Sequence, residues 1–292
     1  MNDILERYAK HLKQNVHSKN TLDSYLRDVR QFLCYLEEET TLVFSEIGAE
    51  DAQKYAKLLK KRGRSAATIN RCLVSLRGFY RYAVEKKLAP LNPFANVTME
   101  KPVKKLPESL DSEEIELLFQ APDVKDPKGC RDKAMLELLY ATGVKVSELT
   151  ALDLEDVNLR AGILRCRTPK AERVIPIYQD ALDVLTDYIY RIRPLLSTQQ
   201  SEALFINFSG QRLTRQGFWK IIKQYAARTG IRKDITPHTL RHSFAIHLLE
   251  NGAGVRDIQE MLGHADVAST QVYVQLVKNR MQEVYQKCHP KA

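Results

Sequence analysis

The sequence lacks the cysteine pattern of a disulfide framework and that of a zinc site. Its five cysteines are odd in number and widely scattered, and none of them belongs to a C-x-x-C pair. It also lacks a run of 18 apolar residues and a basic N-terminus followed by an apolar stretch. These absences predict a cytoplasmic protein without a disulfide scaffold, a membrane-spanning helix or a signal peptide.

Low-complexity tracts and internal repeats are absent too. The 292 residues are 44% hydrophobic and 28% charged, which is the composition of a globular chain that can build buried cores. A chain of this length predicts two domains. The polar, proline-bearing residues 102–107 are typical of a linker, so we place one domain in residues 1–101 and the other in residues 108–292.

The periodicity of the apolar residues predicts a mainly α protein with a small β-sheet. Residues 1–101 carry apolar side chains at helical spacing. In the second domain, Asp111 and Glu114 form the signature of a capping box at the start of a helix. Two short runs rich in branched residues, 163–166 and 173–177, predict a pair of strands joined by a short connection.

Acidic residues are nearly missing from residues 54–87, which hold eleven basic residues and a single acid, Glu85. Apolar residues interleave with the basic ones, which predicts two helices broken near Gly63, each with a cationic face. Such a face can displace the counterions of a nucleic acid, although a merely solvated face is the alternative. The net charge of +9 favours nucleic acid first and an anionic membrane second. The residues expected to contact DNA are Lys54, Lys57, Lys60, Lys61, Arg62, Arg64, Arg71, Arg77 and Arg81.

A second candidate site lies at the start of a predicted helix, where Pro237 favours the first helical position. His238 and Arg241 are three residues apart, so their side chains share one face of this helix. Helix N-termini bind anions favourably, and we interpret the pair as a phosphate-binding corner. We assign structural roles to the other two histidines of the helix, His242 and His247.

The spacing of His238 and His242 also raises the alternative of a zinc site. Histidines four residues apart on a helix can bind one metal ion, but no glutamate lies between these two to serve as a base. The intervening Arg241 would place a cation next to the metal. We therefore predict neither a metal nor another cofactor.

Three short motifs follow one another over 36 residues near the C-terminal end. They are the His-x-x-Arg sequence that ends at Arg241, the Leu-Gly-His sequence that ends at His264, and the Thr-x-x-Tyr sequence that ends at Tyr273. This combination resembles the signature of the tyrosine recombinase, or phage integrase, family. Further resemblance to that family and to its XerC/XerD branch covers residues 21–29, 140–149, 218–226 and 289–292.

The resemblance implies the tyrosine recombinase fold, in which a helical, SAM-like core-binding domain precedes a mainly α catalytic domain with a small β-sheet. It also implies site-specific recombination of duplex DNA without metal, ATP or another cofactor. Tyr273 would attack a phosphodiester, form a 3′-phosphotyrosyl link and free a 5′-hydroxyl. Strand exchange would then pass through a Holliday junction.

The resemblance implies roles for the other candidate residues as well. Arg241 would bind two phosphate oxygens with its planar fork of donors. His238 and His264 would donate to the remaining oxygens or assist proton transfer, because histidine titrates near neutral pH. The family also uses a lysine on a β-hairpin to protonate the leaving 5′-oxygen. We choose Lys170 for this role, with Arg167 as its rival.

Lys145 departs from the family, which has its first catalytic arginine at this position. Lysine keeps the positive charge but loses the two-donor fork. Three outcomes stay open, namely a slower recombinase, an enzyme that works only with a partner, and a DNA-binding protein without activity. Lys145 motivates one alternative function, a catalytically weakened DNA-binding or architectural protein. The other alternative shares the chemistry, and it is a type IB topoisomerase.

The resemblance finally implies the partners. We expect a tetramer on a double-stranded DNA recombination site, made of this chain alone or together with a paralogous recombinase. Its expected role is chromosome dimer resolution, with a septal DNA translocase as a further candidate partner and with no membrane. Residues 281–292 would dock onto a neighbouring protomer.

Overall fold

The computed structural model describes residues 2–15, 19–99, 108–167, 172–196, 201–264 and 268–288. The chain divides into two compact units, Met1–Lys104 and Lys105–Ala292. Each unit has its own hydrophobic core, as expected for a folding domain. The linker predicted at residues 102–107 lies outside the described residues.

Four helices build the described part of the N-terminal unit. Their apolar faces enclose a core of aromatic rings, in which Phe32 lies edge-on to Tyr55 and Phe94 with ring centroids 4.9 and 5.3 Å apart. The break predicted near Gly63 is present, because this glycine has a φ of 72° and the Ser65 side chain caps the next helix. The helices are α1 (Asn2–Asn15), α2 (Lys19–Glu39), α3 (Ala49–Lys61) and α4 (Ala66–Glu85).

Nine α-helices lie in the described part of the second unit. The first begins at the predicted capping box, where the side chains of Asp111 and Glu114 each accept the other residue's backbone N–H at 2.9 Å. A π-helical turn, Tyr188–Ile192, joins the fourth helix to the fifth. The helices are α5 (Ser112–Gln120), α6 (Pro127–Thr142), α7 (Val146–Leu149), α8 (Gln179–Asp187), α9 (Arg193–Leu196), α10 (Arg215–Thr229), α11 (Pro237–Glu250), α12 (Val255–Leu262) and α13 (Ala268–Cys288).

A three-stranded antiparallel sheet follows α7, with the strands in the order β1 (Val157–Asn158), β2 (Ile163–Arg167) and β3 (Glu172–Pro176). The predicted strand pair is β2 and β3, and the two-residue β1 is too short for its sequence to show the alternation of a strand. Leu164 pairs with Ile175, and both are buried, so one face of the sheet packs on the core.

Helix α6 is the central helix of the second unit, because twelve of its sixteen residues are buried. Helix α11 packs beside α6, and both α12 and α13 pack against α11. The C-terminal ends of α6 and α12 therefore lie close to the side chains of α11, the helix that carries the candidate residues His238 and Arg241. None of the described helices is both long and apolar enough to cross a bilayer.

Candidate active site

Two helix ends hold the guanidinium group of Arg241, which is buried in the second turn of α11. Its Nη2 donates to the carbonyl oxygen of Leu262 at 2.7 Å, and its Nη1 donates to the carbonyl oxygen of Gly143. The last carbonyl groups of a helix have no partner within the helix. The guanidinium therefore satisfies one carbonyl at the end of α12 and another just beyond α6.

Glycine caps both of these helix ends. Gly143 and Gly263 have φ values of 58° and 63°, in the left-handed region that favours glycine. A Cβ atom at Gly143 would lie 2.3 Å from Cδ1 of Phe244, and one at Gly263 would lie 2.9 Å from Nη1 of Arg173. The glycines thus end the helices and leave room for the side chains that surround the site.

No carboxylate among the described residues forms an ion pair with Arg241. The nearby Glu148 pairs with Arg173 instead, at 2.8 Å. The two carbonyl groups use two of the five guanidinium N–H donors and carry no charge, and burial lowers the pKa of Arg241. A buried cation with neutral partners and unused donors is suited to bind an oxyanion such as a phosphate.

Tyr273 lies in the second turn of α13 and is only 3% exposed. Its ring packs with Phe244 and Leu262, and its hydroxyl oxygen is 2.8 Å from Nδ1 of His242. Burial raises the pKa of Tyr273, and the charge of Arg241 opposes this effect. The phenol is therefore neutral at pH 7 and lies within electrostatic range of the guanidinium in the same chain.

His242, to which the sequence assigned a structural role, lies against the Tyr273 hydroxyl. It follows His238 by four residues, so the two rings stack on one side of α11 with centroids 6.3 Å apart. Burial, and then the neighbouring His238, Arg241 and His264, lower the pKa of His242 to about 4. His242 is therefore neutral at pH 7 and contacts the Tyr273 hydroxyl.

His264 follows the glycine that caps α12 and is half-buried. Its Nδ1 lies 3.0 Å from Oγ1 of Thr270, and its ring stacks on Tyr273 with centroids 6.4 Å apart. Burial lowers the pKa of His264 to about 4, and the charges of Arg241 and Lys145 act in the same direction. The structure thus brings His264 to Tyr273 as a neutral imidazole.

Lys145 is exposed at the residue before α7, and its charge reaches His264. Its backbone N–H donates to Oε2 of Glu148 at 2.8 Å, and Arg173 donates to the same oxygen at 2.8 Å. Nε of Arg173 also donates to the carbonyl oxygen of Met261 at 2.8 Å. Sequence reasoning missed Glu148 and Arg173, because their ion pair joins positions 25 residues apart and no local spacing signals it.

Of the two candidate cations of the hairpin, only Arg167 belongs to the described residues. Arg167 ends β2, where its Nη1 lies 2.8 Å from Glu155 and its Nε lies 3.5 Å from Asp156. This arginine therefore faces carboxylates. Lys170 lies outside the described residues.

A cavity of about 520 Å³ opens beside His238, which is exposed at the start of α11. Its lining combines Val146 and the indole of Trp219 with polar and basic side chains of α10. Trp219 is the single tryptophan of the chain and is 48% exposed. The polar and basic lining residues of α10 are Arg215, Gln216 and Lys220.

His247 contacts the Tyr140 hydroxyl through its Nδ1 at 2.7 Å. Within the described ranges, no three histidine, cysteine, aspartate or glutamate side chains are grouped as metal ligands. The candidate zinc pair, His238 and His242, forms part of the ring stack beside Tyr273.

Two of the nine basic residues predicted to contact DNA bind a buried carboxylate or backbone carbonyl groups of the N-terminal unit. Arg71 donates to the buried Asp28 at 2.9 Å, and Arg77 donates to the carbonyl oxygens of Phe94, at 2.8 Å, and Val97. These two guanidinium groups connect parts of the unit, so they do not support the predicted DNA contact. The other seven residues are exposed, namely Lys54, Lys57, Lys60, Lys61, Arg62, Arg64 and Arg81.

Two family profiles match this chain. The profile described as "Phage integrase family" matches residues 108–280, and the profile described as "Phage integrase, N-terminal SAM-like domain" matches residues 5–87. Proteins named "Tyrosine recombinase XerD" are similar over the full length. One from Staphylococcus epidermidis is 41% identical over 295 residues and covers 100% of both chains. One from Halalkalibacterium halodurans is 43% identical over 299 residues, covering 99% of this chain and 100% of its own.

Solved structures share the overall fold of this chain. The crystal structure of XerA recombinase is 29% identical, covers 99% of both chains and has a TM-score of 0.56. The XerH recombinase bound to a palindromic difH substrate has a TM-score of 0.75 at 21% identity, covering 96% of this chain and 82% of its own. A lambda integrase dimer bound to a COC′ core site has a TM-score of 0.74 at 20% identity, covering 94% and 76%.

Proposed function

Because the chain belongs to the phage integrase family and is a site-specific tyrosine recombinase, we propose that Tyr273 is its nucleophile. The fold class and the activity predicted from the sequence are thereby confirmed. The relatives are named as recombinases, so the topoisomerase and the DNA-binding protein without activity are not favoured.

One observation carries the proposal for the site. Arg241 is a buried cation with neutral partners and unused donors, and it lies within electrostatic range of the Tyr273 hydroxyl. A scissile phosphate bound to this guanidinium would face a nucleophile of the same chain. The donors would also stabilise the negative charge that builds up on the pentacoordinate phosphorus.

The remaining candidate residues would complete the reaction. As the Oη–P bond of Tyr273 forms, the bond from phosphorus to the 5′-oxygen breaks, and that oxygen takes a proton from Lys170. His238 and His264 would donate hydrogen bonds to phosphate oxygens, His264 as a neutral imidazole. Because the phosphotyrosyl ester keeps the phosphate ester linkage, the reverse attack by a 5′-hydroxyl rejoins the strand without ATP.

DNA binding would extend over both units of the chain. In the N-terminal unit, the exposed basic side chains of α3, of α4 and of the turn between them can release counterions from the backbone of duplex DNA. In the second unit, the cavity beside His238 offers basic side chains and the Trp219 ring next to the proposed phosphate site. Binding should therefore weaken steeply as salt is added.

The biological role and the partners remain those that the resemblance implies. We propose that the chain acts in the cytoplasm as a tetramer on its DNA site, alone or with a paralogous recombinase, and resolves chromosome dimers. A DNA translocase at the septum is the proposed activating partner.

Covalent trapping tests the proposed function. The full-length chain is incubated with chromosomal DNA of its host, the reaction is stopped with detergent, and DNA that stays attached to protein is sequenced. We expect a 3′-linked adduct at a defined chromosomal sequence, hereafter the site DNA, and excision between two copies of it on a plasmid. DNA that is retarded on native gels but never becomes covalent would overturn the proposal, and relaxation of plasmids without the site would indicate a topoisomerase.

Replacing Lys145 by arginine is expected to raise the rate of adduct formation about tenfold or more. Arginine restores the second donor toward the phosphate, and one well-placed donor contributes about 10²–10³ to a rate. The measurement is the single-turnover rate on nicked site DNA, with Lys125→Arg at an exposed loop position as the control. An unchanged or lower rate would show that Lys145 is not a weakened arginine.

Deleting residues 282–292 is expected to impair the pairing of two sites about tenfold while binding to a single site stays within about twofold. The deletion removes the last turns of α13 and the segment proposed to dock onto a neighbour, whereas the proposed phosphate site remains. Native gels with one-site and two-site DNA measure both quantities. Equal losses in the two assays would contradict the docking role.

A further inference from the structure

The Tyr273 hydroxyl has one polar partner among the described residues, and that partner is Nδ1 of His242 at 2.8 Å. Tyr273 is almost fully buried, so a hydroxyl proton that pointed elsewhere would lose a hydrogen bond. The hydroxyl therefore donates to Nδ1. This assignment leaves the proton of the neutral imidazole on Nε2 and directs the Nδ1 lone pair at the phenolic proton.

We propose that His242 is the proton acceptor that activates Tyr273 when the chain cleaves DNA. The inference rests on the proposed role of Tyr273 as the nucleophile. The phenolic O–H bond breaks and an N–H bond forms at Nδ1 of His242, while the Oη–P bond forms and the bond to the 5′-oxygen breaks. On religation the same proton returns from Nδ1 to the phenol.

The geometry meets the requirements for a general base. The distance of 2.8 Å lies within the range for direct proton transfer, and it is already present before DNA binds. His242 and Arg241 are adjacent on α11, so one rigid helix carries both the proton acceptor and the proposed phosphate ligand. The ring of His238 stacks on that of His242.

The other two histidines are placed less well to take this proton. Nδ1 of His264 faces Oγ1 of Thr270 at 3.0 Å, and the His264 ring meets Tyr273 through stacking rather than through a hydrogen bond. His238 is exposed, and the ring contact that links it to this group of residues is its stacking on His242. Among the described residues, His242 is thus the base in direct contact with the nucleophile.

The charge state of His242 suits the same role. The titratable groups that face it are His238 and Arg241 on α11, His264 after α12 and Tyr273 on α13. Burial, and then the charges of His238, Arg241 and His264, lower the pKa of His242 to about 4, so the imidazole is unprotonated at pH 7. A bound phosphate would raise this pKa and stabilise the imidazolium that the transfer creates.

The first test needs no DNA. In the full-length chain labelled with ¹⁵N-histidine, the His242 resonances are assigned by their loss in a His242→Asn variant. We expect the tautomer that carries its proton on Nε2 and an unprotonated Nδ1 at pH 7. A proton on Nδ1 would overturn the inference whether or not the chain recombines DNA.

The second test measures adduct formation on nicked site DNA between pH 5 and pH 10. His242→Asn places an amide oxygen near the position of Nδ1, so it can hold the hydroxyl but cannot take its proton. We expect this variant to be about 10²–10³-fold slower at pH 7. Its rate should rise about tenfold per pH unit, because hydroxide must then generate the phenolate. The wild-type rate should stay level near neutral pH and fall as the pH approaches the pKa of His242.

A matched control is His247→Asn, which alters another histidine of α11 that contacts Tyr140 instead of Tyr273. This variant should keep the wild-type rate and pH profile. A His242→Asn variant with the wild-type rate, or with a slower rate and an unchanged pH profile, would overturn the role as proton acceptor. Failure of the proposed function can be distinguished from failure of this inference, because the wild-type chain would then form no adduct at all.

Discussion

The Tyr273→Phe variant is expected to form no covalent adduct with site DNA and to bind that DNA as tightly as the wild-type chain. The substitution removes the hydroxyl oxygen of the proposed nucleophile and leaves the buried ring in its cluster with Phe244 and Leu262. It also removes a hydrogen bond to His242, which should cost about 1 kcal/mol of folding stability. Denaturing gels measure the adduct, native gels the affinity and thermal unfolding the stability.

Tyr140→Phe is the matched control for this experiment. It removes a hydroxyl that likewise contacts a histidine of α11, His247, at 2.7 Å. We expect this variant to form the adduct at the wild-type rate. An adduct that persists in Tyr273→Phe would identify another nucleophile and would refute the proposed site.

The Arg241→Lys variant is expected to form the adduct about 10³-fold more slowly than the wild-type chain. A lysine ammonium has no planar fork, so it cannot hold both carbonyl groups and a phosphate as the guanidinium can. One buried carbonyl, at Gly143 or Leu262, is left without a donor, which should cost about 1–3 kcal/mol of stability. Single-turnover rates and thermal unfolding separate the two effects.

Arg256→Lys provides the control, since Arg256 is an exposed arginine of α12. Its rate and stability should match those of the wild-type chain. An Arg241→Lys variant that unfolds at a lower temperature but reacts at the wild-type rate below that temperature would mean that Arg241 only supports the fold.

Local signals predicted most of the fold. The capping box at Asp111, the break at Gly63 and the strand pair depend on residues within a few positions of one another, and the structure contains all three. The role of Gly143 was not predicted, because it depends on Phe244, which packs beside it from a distant part of the sequence. Sequence patterns report such contacts only weakly.

In the candidate site, too, the features signalled by local motifs were predicted and those that depend on distant contacts were not. The motifs led to His264, Arg241 and Tyr273, and the structure groups these three residues. His242 was missed because its spacing from His238 was considered only as a metal-binding pattern. Arg71 was assigned to DNA by its charge, whereas the buried Asp28 that binds it lies 43 positions earlier in the chain.

Helix α13 is continuous from Ala268 to Cys288, so Tyr273 and the residues up to Cys288 belong to one stiff rod. From Tyr273 to Gln286 the rod measures about 20 Å at 1.5 Å per residue. A neighbouring protomer that binds the C-terminal end of α13 would therefore be able to tilt the whole helix. Such a tilt would move the phenol of Tyr273 relative to the Arg241 guanidinium. Assembly and strand cleavage would then be mechanically coupled without any intervening hinge.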